Sequence, residues 1–340
     1  MRLKPAPFPH QKDPTVIPTP TFQVRLRAIS WEAEHILGFE LVALPPANRL
    51  PAFTAGAHID LHLSTPSGAL VRSYSLLNDP RDTQRYRIAV NRDPKSRGGS
   101  RHMHEGLRVG DVLTISEPRN NFELDESAPF NVFIAGGIGI TPLLGMIARS
   151  QALGTPWRLH YAARTRLHAG FLDTLASYQA QAGAEVLLNF DQEPGGQMLD
   201  LARVVAALPE AAHVYCCGPL PMLAAYEEAT AGLSAERVHR EYFAAKEAAA
   251  TGGGFTVELA RSRKTLTVPE GKTILDCLIE NQLEPLFSCR EGVCGTCEVR
   301  VLQGTPDHRD LVLNEAERAA CDRMMVCCSG AKSATLVLDL

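Results

Sequence analysis

The stretch CREGVCGTC, residues 289–297, contains three cysteines with the spacing C-x4-C-x2-C. A further cysteine, Cys327, follows after 29 intervening residues. This loop spacing with a distant fourth cysteine is typical of plant-type [2Fe–2S] clusters, whereas a zinc site usually combines two close cysteine pairs. We therefore expect an iron-sulfur cluster, with a zinc-binding module as the alternative. The expected ligands are Cys289, Cys294, Cys297 and Cys327.

Three cysteines compete for the role of fourth ligand. Cys321, Cys327 and Cys328 all follow the loop at a distance, and neighbouring residues of an extended segment point to opposite sides. We choose Cys327, with Cys328 as its neighbour and Cys321 in the core. Cys277 lies in TILDCLIE on an apolar helical face, where a free thiol is usually buried. Gly292 and Gly295, inside the loop, permit close approach of backbone amides to sulfur.

The composition is that of a globular protein with more than one domain. The 340 residues are 45% hydrophobic and 21% charged, with a net charge of −4, and no block of lysine or arginine indicates a nucleic-acid partner. The longest uncharged run, 131–148, is interrupted by glycines and a proline, which argues against a membrane span. Residues 1–20 are proline-rich and contain no apolar segment, which indicates a disordered lead-in rather than a secretion signal. With cysteines clustered as in metal sites, this predicts a cytoplasmic protein.

The pattern of apolar residues changes along the chain and predicts three folded units. Six short strand candidates in 21–128 predict an antiparallel six-stranded β-barrel. In 129–243 strand and helix patterns alternate, as in an α/β doubly wound parallel sheet. Residues 244–254, AAKEAAATGGG, indicate a linker. Strands return in 255–340 around one helix, which a capping-box pattern at 273–276 opens. The fold class is therefore multidomain, with an α+β unit at the end.

Two glycine-containing segments indicate a nucleotide site in the second unit. GGIGITP (136–142) follows a strand and opens a helix, where backbone amides can receive a pyrophosphate. CCGP (216–219) ends a later strand of the same sheet, at the side where such sheets bind ligands. Cys217 is assigned a contact role rather than that of a nucleophile, because no neighbouring base is recognisable. The expected nucleotide residues are Gly136, Gly137, Gly139, Thr141, Pro142, Arg164, Cys217, Gly218 and Pro219.

Two further segments indicate a second ligand in the barrel. RSYSL (72–76) places an arginine, a tyrosine and a serine on one strand; these can hold a phosphate, pack on a ring and reach a ring heteroatom. SRGGS (96–100) offers bare backbone amides and a hydroxyl for a second hold on phosphate. Together they predict a bound phosphorylated ring. The expected contacts are Arg72, Ser73, Tyr74, Ser75, Ala89, Val90, Asn91, Gly98, Gly99 and Ser100.

From about residue 20 to the C-terminus the chain resembles the phthalate dioxygenase reductase family, which includes vanillate demethylase reductases. The resemblance rests on the order of the motifs RSYSL, RGGS, AGGIGITP, YCCGP, CREGVCGTC, DHRD and MVCCSGAKSA. It implies a flavin barrel, an NAD domain and a β-grasp plant-type ferredoxin domain. The implied cofactors are FMN, NADH and a [2Fe–2S] cluster.

The resemblance also implies roles for individual residues. Phe243, in REYFAAK, matches an aromatic residue near the flavin. FMN is implied rather than FAD, because RGGS closes around a terminal phosphate. The residues expected to contact the reacting rings are Ser75, Thr141 and Cys217.

The implied function is that of a reductase component. It would take a hydride from NADH to FMN and pass single electrons through the cluster to a Rieske-type oxygenase of an aromatic compound such as phthalate, isophthalate or vanillate. Two alternatives stay open, namely an FAD-containing reductase of a soluble di-iron monooxygenase and a non-enzymatic flavin/iron-sulfur redox sensor. Arg164 and Arg166 could accept a 2′-phosphate, so NADPH also stays open, although the resemblance favours NADH. Neither a nucleic acid nor a membrane is an expected partner.

Overall fold

The computed structural model describes residues 20–65, 68–94, 96, 98–283 and 285–340. The predicted lead-in, 1–20, lies outside the described residues except for its last residue. The described chain folds around three large sheets, and a two-stranded ladder accompanies the third. Among the described residues, no helix has both the length and the apolar character that a membrane span requires.

The first sheet has six antiparallel strands in the order β4-β3-β6-β1-β2-β5. Its edge strands, β4 and β5, lie against each other, so the sheet curls into a barrel. Buried apolar side chains from the five strands other than β4 fill the interior, and the partly buried Leu70 and Tyr74 of β4 pack against them. The elements are β1 (Thr21–Ala33), β2 (Ile36–Ala43), β3 (His58–Thr65), β4 (Gly68–Ser75), β5 (Arg85–Asn91), α1 (Gly99–Glu105) and β6 (Val112–Ser116).

The second sheet has five parallel strands in the order β11-β10-β7-β8-β9. From β7 the chain adds β8 and then β9 on one side, and it later adds β10 and β11 on the other side of β7. The strand order therefore reverses between β7 and β10. Ligands of such sheets bind beyond the carboxyl ends of the strands at this switch point. The elements are β7 (Asn131–Gly136), α2 (Ile140–Leu153), β8 (Trp157–Ala163), α3 (Leu172–Gln179), β9 (Ala184–Phe190), α4 (Leu201–Ala206), β10 (His213–Cys217), α5 (Leu220–Thr230) and β11 (Val238–Glu241).

The third sheet is mixed, with the order β13-β12-β18-β14-β16 and β12 parallel to β18. The capping box that opens α6 is formed by Thr273 and Asp276, as the sequence predicted. The sequence did not predict β14, β16, the small β15–β17 ladder or α7, which Asn314 and Glu317 cap. The elements are β12 (Phe255–Leu259), β13 (Lys264–Val268), α6 (Ile274–Glu280), β14 (Glu298–Gln303), β15 (Pro306–Asp307), α7 (Glu315–Ala320), β16 (Arg323–Met325), β17 (Gly330–Ala331) and β18 (Thr335–Leu338).

These three sheets confirm the predicted fold class: a six-stranded antiparallel barrel, a doubly wound parallel sheet and an α+β unit. The short β strands and the β-α alternation were visible in the sequence because their apolar periods are local.

Candidate functional site

Two backbone turns meet at the switch point of the parallel sheet, and glycine is needed in both. A Cβ built on Gly139 would lie 2.2 Å from the Cys217 carbonyl oxygen, and one on Gly136 would lie 2.6 Å from Cδ of Pro219. Gly137 has a φ of +53°, which residues with a side chain rarely adopt. The turns after β7 and β10 therefore touch through their backbones, which leaves the crevice beside them open for a ligand.

A cavity of about 510 Å³ lies at this crevice. The predicted nucleotide residues that line it are Gly136, Gly137, Gly139, Arg164, Gly218 and Pro219. Asn189, Asp191 and Met198, which the sequence reading did not select, line it too. Because Asp191 and Arg164 face one cavity, the site presents both an acidic and a basic group to a ligand.

A second cavity, of about 430 Å³, lies against the barrel. Most of the residues predicted to contact a phosphorylated ring line it, as do Thr141 and Phe243. The barrel residues among them are Arg72, Ser73, Tyr74, Ser75, Ala89, Val90, Asn91 and Ser100. The two cavities share Asn91, Ile138, Phe243 and Ala244, so ligands in them would be neighbours.

The glycine segment that opens α1 packs on the barrel arginine. Gly98 has a φ of +103°, and a Cβ on Gly99 would lie 2.9 Å from Nε of Arg72. The Asp93 backbone amide donates a hydrogen bond to Ser100 Oγ at 3.3 Å. This end of the cavity therefore combines a guanidinium group with bare backbone, a pairing that suits a phosphate.

Two predicted contact residues lie behind the cavity walls. Pro142 is buried in the first turn of α2. Cys217 is fully buried, and burial raises the pKa of its thiol well above the usual range. Its carbonyl backs the glycine turn, while its thiol stays protonated and is not a nucleophile.

The structure brings the four predicted cluster cysteines together as two interacting pairs. The Cys289 thiol is the main cause of the raised pKa of Cys294, and the Cys327 thiol is the main cause of the raised pKa of Cys297. The Cys289 thiol also interacts with that of Cys327. Contact with the neighbouring thiol and burial raise the pKa of both Cys294 and Cys297, so four thiolates here need a positive centre between them.

The four cysteine side chains lie as two pairs. Within the described parts of the chain, no group of three or more histidine, cysteine or acidic side chains is arranged for one metal ion. A [2Fe–2S] cluster instead takes two thiolates on each iron. The Glu291 backbone amide lies 3.3 Å from Cys289 Sγ, and a Cβ on Gly292 would lie 2.5 Å from Cys328 Sγ. The loop backbone therefore runs close to the sulfur atoms of Cys289 and Cys328.

The other cysteines of this unit have different neighbours. Cys328 Sγ is directed at the Met325 carbonyl, 3.8 Å away. Cys321 Sγ donates to the Arg318 carbonyl at 3.3 Å. Cys277 is buried on α6, as its sequence context predicted.

The cysteine loop forms one wall of the barrel cavity. Cys289, Glu291, Val293 and Cys294 all line it. The loop is anchored to the barrel unit by Asn121, whose side-chain amide donates to the Cys294 carbonyl at 3.0 Å. The order in space is therefore nucleotide cavity, barrel cavity, cysteine loop.

Sequence reading missed a buried carboxyl group in the barrel cavity. Glu241, the last residue of β11, lines the cavity, and its Oε2 has no hydrogen-bond partner among the described residues. Burial raises the pKa of Glu241 from 4.5 to about 8. The only sequence signal was its place in REYF, two residues before Phe243.

We expect Glu241→Gln to remove a pH dependence of stability. Because the pKa of Glu241 is higher in the folded than in the unfolded protein, the unfolded chain is deprotonated at lower pH. The contribution of Glu241 to the free energy of unfolding therefore falls as pH rises from about 4.5 to about 8. Thermal unfolding of the variant should therefore change less over this range, and its Tm at pH 8 should rise by about 2–4 °C per kcal/mol gained. Glu258→Gln, at an exposed position on β12, is the control. If the Tm of the Glu241 variant depended on pH as the wild-type Tm does, the result would contradict the burial of this carboxyl group.

Comparisons with known proteins agree with this arrangement. Residues 257–332 match the 2Fe-2S iron-sulfur cluster binding domain, and residues 133–228 match the oxidoreductase NAD-binding domain. The phenoxybenzoate dioxygenase subunit beta of Ectopseudomonas oleovorans is 56% identical, over 93% of this chain and 97% of that one. The tetrachlorobenzoquinone reductase of Sphingobium chlorophenolicum is 48% identical, over 95% of this chain and 99% of that one.

A solved structure of phthalate dioxygenase reductase also matches. It is described as a modular structure for electron transfer from pyridine nucleotides to [2Fe-2S]. The match has a TM-score of 0.70 and 36% identity, and it covers 94% of this chain and 98% of that one. The match therefore includes all three sheets rather than a single domain.

Proposed function

This chain belongs to the phthalate dioxygenase reductase family, and from that premise we propose that it is the NADH-dependent reductase component of an aromatic oxygenase system. Its partner would be a Rieske-type oxygenase, and the cytoplasm would be its place of action. The observation that carries the proposal is the spatial order of the sites. The barrel cavity shares one border with the nucleotide cavity and has the cysteine loop as another wall.

We assign each group to the residues that fit it. Arg72 and the glycine segment at 98–100 would hold the FMN phosphate, and Tyr74 would pack beside the ring. The nucleotide cavity would hold NADH, with Thr141 and Phe243 at the border between the rings. The proposed cluster ligands are Cys289, Cys294, Cys297 and Cys327. When bound, the flavin exchanges two electrons with the nicotinamide and the cluster carries single electrons.

The side chains around the barrel cavity would control orientation and charge. Burial raises the pKa of Tyr74 to about 12, so its hydroxyl stays neutral at any working pH. Thr141 Oγ1 donates to the Ile138 carbonyl at 3.0 Å, which fixes this side chain in the turn between the cavities. Phe243 is 41% exposed at the shared border. A partly exposed aromatic side chain there can cover a bound ring and give way to an incoming nicotinamide.

Reconstitution tests the proposed function. The purified protein, NADH and a Rieske-type aromatic oxygenase should give NADH-dependent product formation, and leaving out the reductase should abolish it. Flavin released by heat should elute as FMN in chromatography. FAD, together with activity toward a di-iron monooxygenase, would contradict the proposal. Negligible NADH turnover by protein that contains flavin and cluster would instead favour a redox sensor.

The similarity to a tetrachlorobenzoquinone reductase supports a second candidate function, direct reduction of a quinone. Quinone-dependent NADH oxidation without any oxygenase, combined with failure to reduce a Rieske centre, would favour it.

We expect NADH to be used at least about tenfold more efficiently than NADPH, a difference of about 1.4 kcal/mol. The Asp191 carboxylate in the nucleotide cavity would hydrogen-bond a ribose 2′-hydroxyl and repel a 2′-phosphate. Asp191→Ser should narrow the ratio of kcat/KM values for the two coenzymes. Asp173→Ser, at an exposed position on α3, should leave the ratio unchanged. A wild-type preference for NADPH would indicate that Arg164, rather than Asp191, determines the choice of coenzyme.

A further inference from the structure

An ion pair lies where the barrel meets the cysteine loop. Arg119 Nη2 donates to Asp60 Oδ2 at 2.6 Å. Asp60 is on β3, and Arg119 is tied to the start of the same strand because its backbone pairs with His58 in both directions. The pair is therefore built into the barrel rather than carried on a free loop.

The carboxylate end of the pair is buried and fully engaged. Asp60 is 3% exposed, its Oδ1 accepts from Ser73 Oγ at 2.6 Å, and its backbone amide donates to Ser116 Oγ at 2.9 Å. Burial opposes ionisation of Asp60, but Arg119 and Ser73 outweigh it, and its pKa is lowered. Asp60 therefore carries a charge that holds the guanidinium in place.

The guanidinium end reaches the third unit. Arg119 Nη2 also donates to Thr296 Oγ1 at 3.1 Å, and this oxygen lies 3.2 Å from Cys294 Sγ. A hydroxyl has one proton and two acceptor lone pairs. A thiolate that binds a cluster carries no proton, so with a cluster bound the Thr296 hydroxyl would be the donor to Cys294 Sγ.

The same network has a second arm to the loop. Ser73 Oγ, which donates to Asp60, lies 3.3 Å from Ser288 Oγ. Ser288 directly precedes Cys289, and Thr296 directly precedes Cys297. The two ends of the cysteine loop are thus both connected to Asp60, one through Ser73 and the other through Arg119.

We propose that the Asp60–Arg119 pair of the barrel positions the cluster loop and sets the reduction potential of the cluster through the Thr296 hydroxyl. Arg119 is a positioning residue in this account, since it acts on the Cys294 sulfur only through Thr296. The inference rests on the proposed function, because it requires a cluster on these cysteines.

The direction of the effect follows from charge. Reduction adds an electron to a cluster that is already anionic, and hydrogen bonds to its sulfur ligands stabilise that added charge. A hydroxyl proton directed at Cys294 Sγ therefore raises the potential. Loss of Arg119 frees the hydroxyl to turn away and removes a nearby positive charge, and both changes lower the potential.

The test compares four variants of the full-length holoprotein by redox titration of the cluster signal. Arg119→Met and Thr296→Val should each lower the equilibrium constant for reduction of the cluster by about three- to tenfold. A tenfold change corresponds to about 59 mV for one electron. Thr296→Ser, which keeps the hydroxyl, should titrate like the wild type. Arg261→Met, which breaks an exposed pair with Asp339 in the same unit, is the matched control.

Hydrogen exchange supplies a readout independent of electron flow. In Arg119→Met, amides of 289–297 should exchange at least about threefold faster, because the loop loses its anchor to the barrel. Thr296→Val keeps the inference testable if Arg119→Met does not fold.

The outcomes separate this inference from the function beneath it. A wild-type protein without a cluster signal overturns the proposed function and the inference together. Variants with a wild-type cluster spectrum, an unchanged potential and unchanged loop exchange overturn the inference alone.

Discussion

Replacing Cys327 by alanine should abolish NADH-driven reduction of cytochrome c and leave reduction of ferricyanide largely intact. Cys327 is the only proposed ligand outside the loop, and its thiol interacts with Cys289 and Cys297. A plant-type cluster needs four thiolates, so three ligands should not retain it. Ferricyanide is a small anion that can enter the barrel cavity directly, whereas a protein acceptor is expected to need the cluster. Loss of the cluster should lower the cytochrome rate at least about 100-fold, or about 2.7 kcal/mol.

The adjacent cysteine provides a matched control. Cys328→Ala removes a thiol that is equally buried but lies between the Met325 carbonyl and the backbone of Gly292. It should keep the cluster absorbance and both activities. Cys294→Ser should behave like Cys327→Ala. Equal loss of both activities in the Cys327 and Cys294 variants would contradict the order of the sites, and cluster loss in Cys328→Ala would contradict the ligand choice.

Gly139→Ala should remove most NADH-dependent activity toward every acceptor. The added Cβ would lie 2.2 Å from the Cys217 carbonyl oxygen and 2.8 Å from the Gly218 amide nitrogen. These are backbone atoms, so the turns after β7 and β10 must move apart. A displacement of about 1 Å at a reacting centre can cost about 100-fold in rate, and we expect a loss of this order in kcat/KM for NADH.

A second glycine separates the clash from a general effect of the substitution. Gly232 has open space around its Cα and an ordinary φ, so Gly232→Ala should keep full activity. The Gly139 variant should retain its flavin and cluster spectra, since its clash lies at the nucleotide crevice. Wild-type kinetics in Gly139→Ala would show that the crevice between the two turns is not where the nicotinamide binds.

The parts of the molecule that depend on local pattern could be predicted from the sequence. The cysteine spacing in 289–297 predicts its ligand set because three ligands lie within one loop. The α6 capping box was readable because Thr273 and Asp276 are one turn apart. The choice of Cys327 over Cys328 assumed an extended segment, but both residues lie in a turn after β16, where the Cys328 and Ser329 amides donate to the Met325 carbonyl; alternation therefore does not separate them, and Cys327 stays a prediction.

The parts that depend on contacts between distant segments could not be predicted. Asp60 and Arg119 are 59 residues apart, and Arg119 and Thr296 are 177 apart. No spacing rule connects them, because the barrel ladder and the packing of the third unit bring them together. Glu241 was missed for the same reason: it looks like an ordinary charged residue at the end of a short strand until the cavity encloses it.

The central claim is that electrons from NADH reach a cluster on Cys289, Cys294, Cys297 and Cys327 within this single chain. Anaerobic addition of NADH to the purified protein, followed by electron paramagnetic resonance, tests it most directly. We expect the signal of a reduced [2Fe–2S] centre in the wild type and in Cys328→Ala, and no such signal in Cys327→Ala. NADH oxidation without this signal in the wild type, or a colourless protein with bound zinc, would contradict the account.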